Sequence, residues 1–136
     1  CTQAVIGAFA DVIGMDFDTA VRFASGFGGG MGRLREVCGT FSGAVIVVNA
    51  LYGYSDPKNV QSKAELYSCI QELAAQFRRD NGSIICKELL GLSRPEGSPI
   101  PEARTDEYYK KRPCPELCRY SANMLEEYIR EHPPVK

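Results

Sequence analysis

Six cysteines, Cys1, Cys38, Cys69, Cys86, Cys114 and Cys118, are the residues best able to do chemistry in this 136-residue chain. Thiolates ligate iron–sulfur clusters and zinc, and they are the reactive form in thiol–disulfide exchange. The spacings contain no CxxC, so neither a zinc ribbon nor a thioredoxin-type motif is encoded, and no CxxCH that would attach haem. Cys114 and Cys118 are four residues apart, one helical turn. That spacing lets both sulfurs chelate, or turns Cys118 to the core. The single histidine, His132, lies close to the end of the chain. Such scarcity counts against His-based acid–base catalysis and His-rich metal sites.

Three of these cysteines fall where helices are expected to begin. Cys38 follows a glycine-dense turn, Cys86 lies in the first turn of a short helix, and Cys114 directly precedes Pro115. The positive end of a helix dipole stabilises a thiolate. With Cys1 at the head of the sequence, these four are expected to converge on one site. The plainer reading is inert core cysteines, which are common. Cys69, inside a helical stretch, is read that way, as a small apolar residue. Arg33 and Arg35, close to Cys38 in sequence, are placed to offset the negative charge of a thiolate centre; the alternative is ordinary solvated loop charge.

The positioning elements are organised around residues 26–53. No residue from Val37 to Ser55 is charged, and the run reads as a central helix that is apolar on nearly every side. A membrane span is the rival, but Thr40, Ser42, Asn49 and the glycines weaken it and no basic flank follows. Gly39 and Gly43, four apart, admit another helix closely. The preceding Ser25–Gly32 turn fails the dinucleotide spacing, because Met31 stands where the third glycine belongs, and no Gly-Lys-Ser/Thr follows. It reads as a tight connection using positive φ.

Around this centre, a first helix is expected over 2–13, ended by Gly14. A second is capped by Asp16 and carries Ala20, Phe23 and Ala24. Asp56-Pro57 signals the start of a long helix reaching Arg79, with Val60, Tyr67, Ile70, Ala74 and Phe77 on one face and Gly82 as its stop. Ser83 is expected to cap the short helix holding Cys86. Residues 92–112, with Pro95, Gly97, Pro99 and Pro101, read as an irregular surface loop pinned by Tyr108 and Tyr109. A last helix begins with Pro115 at its first position, buries Tyr120, Met124, Leu125, Tyr128 and Ile129, and ends before Pro133. The fold class is all-α, a compact bundle of five to six helices around a buried central helix, in a single domain over 1–136.

Net charge is −1, which gives no argument for a nucleic-acid or acidic-lipid partner. The length suffices to bury a core without disulfide staples. No signal peptide is visible, and a lipidated first cysteine would usually precede a flexible tether rather than a helical pattern. The expected location is cytoplasmic. Native residues before Cys1, a homodimer and the identity of a redox partner protein are left open.

Several segments together resemble one family. Cys1-Thr-Gln-Ala-Val, SGFGGGMGR, VCGTFSGA, GSIICKELLG and Cys114 ahead of RYSANMLEEYI are similar to the C_GCAxxG_C_C family, named as redox-active. The resemblance covers nearly the whole chain and falls on Cys1, Cys38, Cys86 and Cys114. The family name describes Gly-Cys-Ala-x-x-Gly, whereas this chain has Cys38-Gly39-Thr40-Phe41-Ser42-Gly43, with the cysteine and closing glycine kept. Cys69 and Cys118 have no place in the pattern. The resemblance implies an all-helical, redox-active bacterial or archaeal domain, with an iron–sulfur or other thiolate-bound centre as one option. The leading expectation is an electron-transfer protein whose iron–sulfur cluster is held by Cys1, Cys38, Cys86 and Cys114. A metal-free thiol–disulfide protein and a zinc-binding module are the alternatives.

Overall fold

A computed structural model describes residues 1–91 and 113–134. Its main helices are α1 (Thr2–Ala8), α2 (Phe17–Ala24), α3 (Gly39–Tyr52), α4 (Val60–Asn81), α5 (Cys86–Leu89) and α6 (Cys114–Glu131). A 3-10 turn, Ser25–Phe27, and a glycine-rich turn around Gly28–Met31 join α2 to the segment before α3. Among the described residues there is no strand; one isolated antiparallel bridge joins Val37 to Ile85. The loop expected over 92–112 lies outside the described residues.

The central position of α3 follows from its composition. It is apolar around most of its circumference, and α1, α4 and α6 all pack on it. Phe41, Ala44, Val47 and Val48 are buried there, facing Val5 and Ile6 of α1, Phe77 of α4 and Leu125 of α6 in one core. Phe41 meets Phe77 edge-on at 5.7 Å between centroids, and Phe77 meets Tyr120 at 5.5 Å. The close approach of α1 depends on glycine. A Cβ at Gly43 would stand 2.8 Å from Val5 Cβ and 3.2 Å from the Thr2 carbonyl oxygen. No helix of the described residues is long and apolar enough to cross a membrane.

Several boundaries and faces differ from the sequence reading. Helix α1 ends at Ala8 rather than continuing to Ile13; Phe9 leaves helical geometry, and the chain proceeds in turns that include Ile13 N–H donating to the Phe9 carbonyl at 3.0 Å. Phe9 and Ala10 are buried by this bend while Val12 is exposed, so little apolar burial favoured a longer helix. Asp16 caps α2 as expected, its carboxylate accepting from Thr19 N–H at 3.1 Å. Ala20 and Ala24 are buried, but Phe23 is 72 % exposed.

Asp56-Pro57 opens a turn, not α4 itself. The Asp56 carboxylate accepts from Lys58 N–H at 2.9 Å, and the true cap is Asn59, accepting from Ser62 N–H at 3.0 Å. Leu66, Cys69, Leu73, Ala74 and Phe77 face the core, with Val60 and Tyr67 turned outward. Gly82 ends α4 at φ 94°, as its sequence position suggested.

Candidate thiol centre

The Cys38 and Cys86 backbones are set side by side by a short pairing of residues 35–38 with 84–87. Cys38 N–H donates to the Ile84 carbonyl at 2.7 Å, Cys86 N–H to the Glu36 carbonyl, and Lys87 N–H to the Arg35 carbonyl at 3.2 Å. Cys38 is the N-cap of α3, so its carbonyl accepts from Phe41 and Ser42 N–H at 3.0 and 2.9 Å. Cys86 is the first residue of α5, with Ile85 in the cap position; Ser83 Oγ accepts from Ile85 N–H one step earlier. Both cysteines are buried, at 5 % and 7 % exposure.

The glycine turn forms the floor beneath Cys86. Five successive residues, Gly29 to Arg33, have positive φ between 58° and 72°. Glycine adopts this without penalty, whereas left-handed geometry costs about 1–2 kcal/mol at Met31 and Arg33. At Gly30 the requirement is also spatial, since a Cβ would lie 2.7 Å from Cys86 Cβ and 2.7 Å from Arg35 Cα. The turn's amides bond inward: Gly32 N–H to the Gly26 carbonyl at 2.8 Å, Arg35 N–H to Gly29 at 3.1 Å and Glu36 N–H to Gly30 at 2.9 Å. It is a tight connection, as its glycine spacing implied.

Arg35 is likewise held at positive φ, 62°, and is only 6 % exposed. Its Nη1 donates to Cys86 Sγ at 3.7 Å. The sequence had placed both arginines beside Cys38. The structure brings Arg35 to Cys86, while Arg33 lays its stem over Gly29. Thr40, fully buried, has its hydroxyl 3.2 Å from Cys38 Sγ.

Cys114 opens α6 as its first residue, with Pro113 as N-cap and Pro115 second, a one-residue shift from expectation. Burial pushes its thiol above the usual value, and negative charge on Cys38 and Cys86 pushes it further, as does Cys118. Cys114 therefore lies within electrostatic range of Cys38 and Cys86, although the three are far apart in sequence. One turn along α6, Cys118 Sγ donates to the Cys1 carbonyl at 3.8 Å. Cys1 itself lies over the start of α3, where a Cβ at Gly39 would collide with its sulfur. Cys69 stands apart, against Tyr128, Glu72 and Tyr52, its thiol raised first by burial.

The donor chemistry of this set suits a thiolate-bound group, with a guanidinium and a hydroxyl already directed at sulfur. Among the described residues, no three of His, Cys, Asp and Glu are arranged to hold a single metal ion. Sequence reasoning left open whether Cys118 joins the site, and its Sγ lies on the Cys1 backbone; it counted Thr40 only as polarity against a membrane span. Its position two residues after Cys38, in the first helical turn, was the available signal.

The raised thiols have a consequence for stability. Below the ordinary cysteine pKa of about 8.5, Cys69 and Cys114 are protonated in both folded and unfolded chains. Above it the unfolded chain releases protons that the fold retains, so stability falls as pH climbs toward the folded values. Tyr128, raised by burial and then by Cys69, extends the loss further into alkali. The urea midpoint of reduced, metal-free protein is expected to drop steadily between about pH 8 and 11; a flat profile contradicts the burial assigned to these groups.

A family model described as "Putative redox-active protein (C_GCAxxG_C_C)" matches residues 1–128. No curated protein and no solved structure gives a significant match to the chain.

Proposed function

The chain belongs to the C_GCAxxG_C_C family of redox-active proteins, and from that premise we propose that it transfers electrons through a thiolate-bound centre, an iron–sulfur cluster held by Cys1, Cys38, Cys86 and Cys114. The observation that carries this reading is the pairing of 35–38 with 84–87, which sets Cys38 and Cys86 side by side, with the start of α6 and Cys114 within electrostatic range of both. The family's redox description favours a cluster over zinc, because zinc has no redox chemistry of its own whereas a thiolate-held cluster changes oxidation state. When bound, the cluster would accept and release single electrons. The protein's own part is to bury Cys38 and Cys86, to set the Arg35 charge beside Cys86 and to bring the Thr40 hydroxyl to Cys38. The donor and acceptor are proteins or small carriers of suitable potential.

A second reading, metal-free thiol–disulfide exchange, draws on the same proximity. All six cysteines are free thiols in this structure. Oxidation of two of them would form one S–S bond and release two protons and two electrons to a disulfide-bearing partner, which is thereby reduced to two thiols. Anaerobic purification followed by iron, acid-labile sulfide and free-thiol assays separates the two. The cluster reading expects visible absorption with iron and sulfide in similar amounts. Colourless protein with an even number of thiols lost on mild oxidation supports the exchange reading instead.

A further inference from the structure

We propose that the hydroxyl of Thr2 donates a hydrogen bond to the Cys1 sulfur when the centre is charged, and thereby sets its reduction potential. The inference rests on the redox reading above. Thr2 is the first residue of α1 and is fully buried. Its Oγ1 has no hydrogen-bond partner among the described residues. Buried hydroxyls are almost always paired, so an orphan of this kind asks for an explanation. Threonine inside a helix commonly bonds back to the carbonyl one turn earlier, but the first helical position has no such carbonyl within its helix.

The neighbourhood of that hydroxyl supplies the explanation. Thr2 Oγ1 and Cys1 Sγ both lie within 2.6 Å of the point where a Cβ on Gly39 would stand. Hydroxyl and sulfur therefore share one small space against the first residue of α3, kept open by the absence of a side chain there. A neutral thiol is a weak acceptor, so the hydroxyl gains little from it. A thiolate, or a sulfur bound to iron, carries negative charge and is a strong one. Thr40 makes the corresponding approach to Cys38 Sγ at 3.2 Å, so hydroxyl–sulfur pairing already occurs within this site. Thr2 takes no electron and no bond to it is made or broken; it is a positioning residue. Hydrogen bonds to sulfur favour the more negative, reduced form, so the Thr2 hydroxyl raises the potential.

The test compares wild type, Thr2→Val and Thr2→Ser by their midpoint potentials. A coloured centre is titrated against redox dyes, and a disulfide couple against glutathione buffers. Thr2→Val keeps the shape and removes the donor, and should shift the equilibrium toward the oxidised form by about tenfold. That is 59 mV for a one-electron centre or 29.6 mV for a two-electron couple. Thr2→Ser keeps the donor and should stay near wild type. Thermal melts of the three proteins provide the structural control. A valine variant of equal or higher stability whose potential is unchanged overturns the inference, because the hydroxyl is then only a buried orphan. Wild type with neither iron, sulfide nor a reducible disulfide overturns the redox reading itself, and is recognised before any variant is compared.

Discussion

Serine at Cys38 or Cys86 is expected to abolish the redox centre, with iron and sulfide falling to background, while Cys69→Ser leaves both at wild-type levels. The substitution exchanges one sulfur for oxygen and barely alters volume, so the loss would be chemical. A serine hydroxyl does not ionise near neutral pH and is a poor ligand for soft metals. At Cys86 the change also leaves the Arg35 guanidinium beside a neutral oxygen instead of sulfur. Cys69 interacts with Tyr128 and Glu72 and takes no part in the interactions that link the other five cysteines. Iron retained in Cys86→Ser, or lost in Cys69→Ser, contradicts the assignment of ligands. Cys118→Ser is expected to lie between these extremes, since the Cys118 thiol donates to the Cys1 backbone carbonyl.

Gly43→Leu is expected to have the largest effect on stability. The glycine is where α1 rests on α3, and even a methyl group would press on Val5 Cβ at 2.8 Å. Overpacking of this kind costs about 1–3 kcal/mol, and a backbone contact with the Thr2 carbonyl places the effect toward the upper end. For a chain of this size the melting temperature should fall by several degrees. Gly39→Ala offers an instructive contrast. Its added methyl would collide with the Cys1 sulfur and approach Thr2 Oγ1, so it should disturb the centre more than the fold. An unchanged melting temperature in Gly43→Leu shows that α1 does not pack on this face.

The fold class was legible in sequence for identifiable reasons. The uncharged run over 37–55 favoured a helix buried among others, and Gly39 and Gly43 marked where another helix comes close. Gly82 and Asp16 announced their helix ends through local chemistry that needs no tertiary context. What was not legible depended on long-range contacts. Asp56-Pro57 carries a strong start signal, yet Asn59 three residues later provides the cap that the packed helix uses. Which face of α4 is buried was decided by the positions of Phe41 and Tyr120 on other helices. Arg35 could be placed near the site but not on a particular sulfur, because the pairing of 35–38 with 84–87 joins segments about fifty residues apart. The left-handed turn from Gly29 to Arg33 was half visible: its glycines predicted positive φ, while Met31 and Arg33 adopting it was not foreseeable from residue type.

The most direct test of the account is a coulometric titration of the anaerobically purified chain, counting electrons taken up and returned. The account predicts reversible uptake of whole electrons per chain, one for a cluster step or two for a disulfide, abolished by Cys38→Ser and preserved in Cys69→Ser. Wild-type protein that takes up no electrons, holds no iron and keeps all its thiols free under oxidant would contradict it. The buried cysteines around α3 would then be ordinary parts of the core.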